Sequence, residues 1–400
     1  MAVRSGTNSG VLVTEQSDLL DLEVGPVAHG GHCVARHDNR VVFVRHALPG
    51  ERVRARVTEV RSRYLRADAV EILRPSPDRV TPSCPYAGPG QCGGCDFQHV
   101  TFEAQRRLKA QVVAEQLRRL ARLPDVDVTV EELPGGPLGW RTRVRYAVDR
   151  QGRAGLRRHR SHEVVAIDRC RIAAPEIQAA PVTSRSWPGR RSIDVVRGAD
   201  GAVTVVADGE VVSGPDQVAE QAAGRRWSLP PEAFWQVHPA AADTFVACVR
   251  DMLAPAAGER VWDLYGGAGL FAAALARDVG PEGHVTVVES ARYAAPLPDL
   301  PQITVVRGRV ERVLRRRGMR TADLVVLDPP RAGAGAEVVE RVVAARPRAV
   351  AYVACDPAAL ARDIATFRSL GWRLARLRAF DAFPMTHHVE CVALLTPVRS

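Results

Sequence analysis

ERVWDLYGGAGLFAAALA, residues 259–276, reads as a strand, a glycine-rich turn and a helix. Asp263 closes the apolar run, and Gly266, Gly267 and Gly269 allow a tight turn that a ligand can approach closely. A glycine turn alone is a weak signal, because dinucleotide folds carry a similar one. The segments after it narrow the choice. HVTVVE (284–289) ends in Glu289, an acidic residue at a second strand end, suited to a ribose diol. ADLVVLDPPR (322–331) brings Asp328 to the end of a later strand, before a rigid Pro-Pro. AVAYVACDPAALARD (349–363) ends a further apolar run in Cys355. Asp356 and Pro357 then break the run, and a helical pattern follows with Leu360 and Ile364 four apart. In open α/β sheets ligands bind outside the carboxyl ends of the strands. These residues therefore mark one rim.

The rest of the chain bounds what that rim can serve. At 400 residues, two or three domains are expected, and 46% apolar with 25% charged residues is the balance of a soluble globular protein. The net charge of +10 suggests a polyanionic partner. Lys109 is the one lysine; the other 54 of the 55 basic residues are arginine. Codon usage in a GC-rich genome would produce that swap but not the positive balance. MAVRSGTNSG lacks the apolar core of a signal peptide, and no apolar run approaches the ~18 residues of a membrane helix. The expectation is a cytoplasmic protein with no membrane association, acting as a monomer. Eight cysteines in such a chain suggest metal or catalytic roles rather than a disulfide framework.

Residues 1–17 read as a loose polar leader. From there to about residue 75, short alternating runs separated by Gly-Gly, Asp-Asn and Pro-Gly turns predict a small antiparallel β-barrel. On one of its strands Val53, Ala55 and Val57 share a face, and Arg52, Arg54 and Arg56 share the other. That stripe is either a solvated face or part of an OB-like nucleic-acid surface. Cys33, with no cysteine near it, is expected in the core. Next, CPYAGPGQCGGCDFQH (84–99) holds Cys84, Cys92 and Cys95 at metal-ligand spacing, and Gly93-Gly94 lets the backbone fold closely. Cys170 in VVAIDRCRI is the candidate fourth ligand. Four thiolates suit zinc or iron–sulfur alike. Residues 101–123 predict an amphipathic helix with a Leu108, Val112, Leu117 and Leu120 stripe, Thr101 as cap and Pro124 beyond its end. The basic segments GWRTRVRYAV and RAGLRRHRSHE are expected to contact phosphates, and residues 171–225 to form an antiparallel layer.

Several of these stretches resemble one family. GPVAHGGHCVAR and VVFVRHALPGERVRARV resemble a TRAM domain, an RNA-binding barrel. FWQVH (234–238), DLYGGAG (263–269), DPPR (328–331), YVACDPAALARD (352–363) and PMTHHVECVALL (384–395) are similar, in order, to motifs of the RNA uracil-5-methyltransferases. The cysteine segment resembles the iron–sulfur signature of the same family, with a longer first gap. The resemblance implies an α/β class I (Rossmann-like) methyltransferase domain at 231–400, an N-terminal OB-like β-barrel (TRAM) at 1–75, and a central α+β domain at 76–230.

The same resemblance implies a function: transfer of a methyl group from S-adenosylmethionine to C5 of a uridine in RNA, 23S rRNA rather than tRNA. Cys355 would be the nucleophile and Glu390 the base. Asp328 would touch both the substrate edge and the donor, with Gln236, Tyr265, Gly267 and Glu289 on the donor. Cys84, Cys92, Cys95 and Cys170 would hold a structural [4Fe–4S] cluster. The chain departs from the pattern at His238 and Asp356, each in place of Asn, at Leu270, also in place of Asn, and at Arg309, where an acidic residue would meet adenine. The segment after Glu289 is also short and proline-rich. These departures leave two other readings: an RNA-binding or ribosome-assembly protein of the same fold without turnover, and a methyltransferase acting on a tRNA uridine.

Overall fold

Val53 and Ala55 are buried and Arg52 and Arg56 exposed along the Arg52–Val60 strand, the alternation the sequence predicts. This strand lies between Leu19–Glu23 and Tyr64–Arg74 in a five-stranded sheet that Arg40–Arg45 and Cys33–His37 complete. Cys33 is buried there, its thiol donating to the Ala47 carbonyl at 3.4 Å. The middle arginine of the basic stripe is already engaged. Arg54 donates to Asp21 at 2.9 Å and to Glu71 at 3.0 Å. The structure, a computed structural model, describes residues 19–293, 297, 299–316 and 319–398. The leader at 1–17 and part of the segment after Glu289 lie outside the described residues. The chain divides into two units after Arg79.

In the second unit the strands run in the order Ile303–Arg307, His284–Glu289, Arg260–Leu264, Leu324–Leu327, Ala349–Ala354, Glu390–Pro397, Trp372–Asp381 and Val130–Glu132. The first five are mutually parallel, and Glu390–Pro397 runs antiparallel between Ala349–Ala354 and Trp372–Asp381. The parallel strands are continuous apolar runs because helices cover both faces. On one face Phe245 and Val249 from the Ala241–Leu253 helix pack with Leu275 from Leu270–Val279. On the other, Val113, Val338 and Ile364 come from the helices Phe102–Leu120, Ala336–Ala344 and Pro357–Ser369. The strand order reverses direction between Arg260–Leu264 and Leu324–Leu327, which opens a crevice at their carboxyl ends. The class I fold expected from the sequence is the one observed.

Residues 143–213 form a separate six-stranded antiparallel sheet. Three local expectations change. The Val130–Glu132 strand and the Phe102–Leu120 helix, grouped by sequence with the central domain, join the large sheet: the strand pairs with its edge and the helix packs on Pro357–Ser369. Leu108, Val112 and Leu117 are buried in that helix, but Leu120 is 37% exposed because the helix ends there, and the Thr101 side chain makes no capping bond. Arg143 does not face phosphate. It is drawn inward by Glu220 at 2.6 Å and by the carbonyls of Pro231 and Ala233. Among the described residues no helix is long and apolar enough to cross a membrane.

Candidate active site

The Ala349–Ala354 and Glu390–Pro397 strands are antiparallel and their ladder ends at the pair Ala354–Cys391. The next residues outward are Cys355 and Glu390, so the ladder itself brings thiol and carboxyl to one rim. Asp356 then caps the following helix, its Oδ1 accepting from the Ala359 N–H at 2.8 Å, with Pro357 as the first helical residue. An Asn would cap in the same way, so this departure from the family pattern preserves the geometry. Asp328 follows the Leu324–Leu327 strand, its N–H donating to the Leu264 carbonyl at 3.3 Å.

Burial governs the protonation of this rim. It pushes the Cys355 thiol up to about 11, with Glu390, Asp328 and Asp356 adding in the same direction and Arg331 opposing. Glu390 is raised well above the usual carboxylate range by burial first and then by Asp328, again opposed by Arg331. Asp328 is lifted to about 7 by burial, Asp263 and Glu289. At neutral pH the rim is therefore a thiol beside carboxyl groups that share few negative charges. Arg331, quoted in DPPR but given no role by the sequence reading, is the cation among them. Its Nη2 donates to His388 Nε2 at 3.0 Å.

Across the crevice, the glycine turn is held from within. A Cβ on Gly266 would stand 2.7 Å from Val287 Cγ1, so the turn packs against the next strand. Gly267 has a φ of +54° and open space where a Cβ would be. Its N–H donates to Glu289 Oε2 at 3.0 Å, while the other Glu289 oxygen accepts from Ser290 and Ala291. Tyr265 also has positive φ, at 64°, and its N–H donates to the Val288 carbonyl. Asp263 is fully buried; Oδ2 accepts from Ala272 N–H at 2.9 Å and Oδ1 has no partner among the described residues. Burial lifts it to about 7. Gln236 is buried. Leu270 is buried as the first residue of its helix, and Arg309 is exposed beside Glu311. The open space above Gly267 and the unpartnered Asp263 oxygen fit a polar ligand.

Cys84, Cys92, Cys95 and Cys170 line one cavity of about 390 Å³, together with Arg141 and Arg158. Gly93 lets this loop meet the neighbouring backbone: its N–H donates to the Arg157 carbonyl at 3.0 Å, and a Cβ would stand 2.7 Å from His159. The thiols sense one another, each of Cys92 and Cys95 being raised by burial and further by the other cavity cysteines. Among the described residues no three ligand-type side chains are gathered tightly enough to hold a single metal ion.

Comparison with known proteins then decides the family. The TRAM domain model matches residues 11–70, and the model of tRNA (uracil-5-)-methyltransferase matches 314–398, which spans Asp328, Cys355 and Glu390. An uncharacterized RNA methyltransferase of Streptomyces avermitilis is 51% identical over 94% of this chain and 98% of its own length. One of Streptomyces coelicolor is 49% identical over 94% of this chain and 92% of its own. The chain belongs to the RNA methyltransferases of the uracil-5 type. In fold, the methyltransferase is similar to Pyrococcus abyssi tRNA (uracil-54, C5)-methyltransferase, solved with S-adenosyl-L-homocysteine. The TM-score is 0.71 over 94% of this chain and all of that one, at 21% identity.

Proposed function

We propose that the methyltransferase moves a methyl group from S-adenosylmethionine to C5 of an RNA uridine through a covalent bond between Cys355 and C6. The observation that carries this reading is the placement of Cys355 and Glu390 together at one end of an antiparallel ladder, with Asp328 at the end of the neighbouring strand. Uracil C5 is a poor nucleophile. Once Cys355 and Glu390 have released their protons to solvent, addition of the Cys355 thiolate to C6 converts the ring to an enolate, whose C5 attacks the methyl carbon as the methyl–sulfur bond breaks. The donor supplies an electrophilic methyl on a sulfonium. Glu390, as carboxylate, then takes the proton from C5, the C6–S bond breaks, and the thiolate is regenerated. Asp328, half-protonated near neutrality, can donate to or accept from the uracil edge. The base must leave its stack to reach the thiol, so a single-stranded or flipped uridine is the substrate.

On the donor side, Glu289 would exchange its bond to Gly267 N–H for a ribose hydroxyl, with Tyr265, Gln236 and Asp328 also on the donor. The four cysteines line one cavity and would hold a [4Fe–4S] cluster, whose negative charge the arginines of the same cavity would complement. Its role is structural, and no step passes through it. The three-domain division at 1–75, 76–230 and 231–400 belongs to the same proposal, with Phe102–Leu120 and Val130–Glu132 of the middle segment built onto the large sheet.

Ribosomal RNA is the proposed acceptor. A tRNA uridine is the second reading, favoured by the name of the matching family model and by the whole-chain fold likeness to a tRNA enzyme. Incubating the enzyme with labelled donor and either 23S rRNA or tRNA transcripts separates them: the label should enter 5-methyluridine of the ribosomal transcript only. Label in tRNA alone would replace the acceptor, and no heat of donor binding at millimolar concentration would favour the RNA-binding protein without turnover.

A further inference from the structure

The loop between the last two strands carries two adjacent histidines, His387 and His388, that the reaction above does not use. Their surroundings are unusually complete. His388 Nε2 receives the Arg331 Nη2–H at 3.0 Å, which requires the neutral ring with its proton on Nδ1. The ring centroids of His387 and His388 are 4.0 Å apart, and that of Phe383 lies 5.9 Å from that of His388 in a T-shaped arrangement. His387 is anchored in turn: its Nδ1 is 2.5 Å from Asp96 Oδ2, and its N–H donates to the same oxygen. One residue further along, Asp96 and Phe97 N–H groups both donate to the Met385 carbonyl, while Gln105 Oε1 accepts from Met385 N–H. Lys109 pairs with Asp381 and donates to the Phe383 carbonyl at the head of the loop.

Arg331 makes no ion pair among the described residues, yet it is the one group that opposes the carboxyls around Cys355 and Glu390. A carboxylate acceptor would hold the guanidinium but cancel its charge. A neutral imidazole holds it and leaves the charge directed at the rim. We propose that His388 is a positioning residue, which by accepting from Arg331 keeps the guanidinium against Cys355 and Glu390 and so favours the thiolate. Burial, followed by His387, Arg331 and Lys109 against the opposing effect of Asp96, holds His388 down to about 3, so it stays neutral throughout the working range. The groups facing the thiol are Glu390, Asp328 and Asp356 on one side of the balance and Arg331 on the other. This inference extends the nucleophile assignment of Cys355 and is tested without RNA or donor, so failure of the methylation reading and failure of this one are distinguishable.

The test is the pH dependence of Cys355 alkylation by iodoacetamide, followed by mass spectrometry on the peptide 349–362, which contains no other cysteine. Below the thiol pKa the rate tracks the thiolate fraction. His388→Leu should slow alkylation at fixed pH by roughly three- to tenfold, as Arg331→Ala should, through a shift of about 0.5–1 unit. His388→Gln, whose amide oxygen also accepts, should stay within about twofold of the native rate. If His388→Leu does not fold, His388→Ala carries the same comparison. An unchanged rate in the folded Leu or Ala variant, or a rate in the Gln variant as slow as theirs, overturns the proposal.

Discussion

At the residue scale, Cys355 and Glu390 stood out as candidates because each stands in a motif and the motifs follow a set order. Their meeting at one rim was not legible from spacing, since 35 positions separate them and the ladder ending at Ala354–Cys391 is what joins them. Arg331 and His388 lay inside quoted stretches, yet nothing in a sequence says that a histidine lone pair will meet that guanidinium. The chemistry makes a sharp prediction for the base. Glu390→Gln should leave a protein–RNA adduct accumulating with turnover reduced by at least about 10²-fold, because addition proceeds and elimination stalls. Denaturing gel electrophoresis with labelled RNA reads it, and unchanged turnover would remove Glu390 from the role. The protonation pattern also predicts stability. Glu390 and Asp328 have folded-state pKa values raised above their unfolded ones, so the folded state binds protons more tightly and loses stability as pH rises from about 4 towards 7. Asp328→Asn should therefore raise the melting temperature at pH 8, by an amount corresponding to about 1 kcal/mol, and have little effect at pH 4. Equal effects at both pH values would mean that the carboxyl is not strained by burial.

At the scale of elements, the glycine turn at 266–269 was a weak signal until the strand ends after it were read, and two of its positions turn out to differ. Gly266 faces Val287 and Asp263, whereas Gly267 faces open space with positive φ. Gly266→Ala should destabilise the fold by more than about 1 kcal/mol, through a clash with packed side chains. Gly267→Ala should cost about 1 kcal/mol from backbone strain, but reduce donor affinity by a larger factor. Thermal melting beside titration calorimetry separates the two, and equal stability losses with equal donor affinity would contradict the assignment of the space above Gly267. The Phe102–Leu120 helix was legible from its apolar stripe, but its partner was not. Lys109 is the one lysine of the chain and is fully buried, paired with Asp381, a contact between segments 272 positions apart that periodicity cannot show. Lys109→Met should cost about 3–5 kcal/mol by stranding Asp381, measured by urea unfolding; a loss below 1 kcal/mol would mean that the pair is dispensable.

At the scale of the molecule, composition suggested a nucleic-acid partner, and the structure shows several arginines of the basic stretches already paired. Arg54, Arg143 and Arg158 are committed to carboxylates, and Arg157, Arg158 and Arg160 line the cysteine cavity. That the four cysteines belong together was legible from their spacing, and they line one cavity. That the same segment also braces the loop leading to Glu390, through Asp96 and Phe97, was not, because that contact crosses nearly 300 positions. Anaerobically purified protein should show an absorption band near 400 nm that Cys170→Ala removes; a colourless protein containing zinc would exclude the cluster. The central claim is that one thiol attacks uridine C6, and trapping tests it most directly. RNA containing 5-fluorouridine, with S-adenosylmethionine present, should form a stable covalent complex with the native enzyme and none with Cys355→Ala, since fluorine cannot leave as a proton does. A Cys355→Ala enzyme that still forms the complex, or still makes 5-methyluridine, would contradict the account.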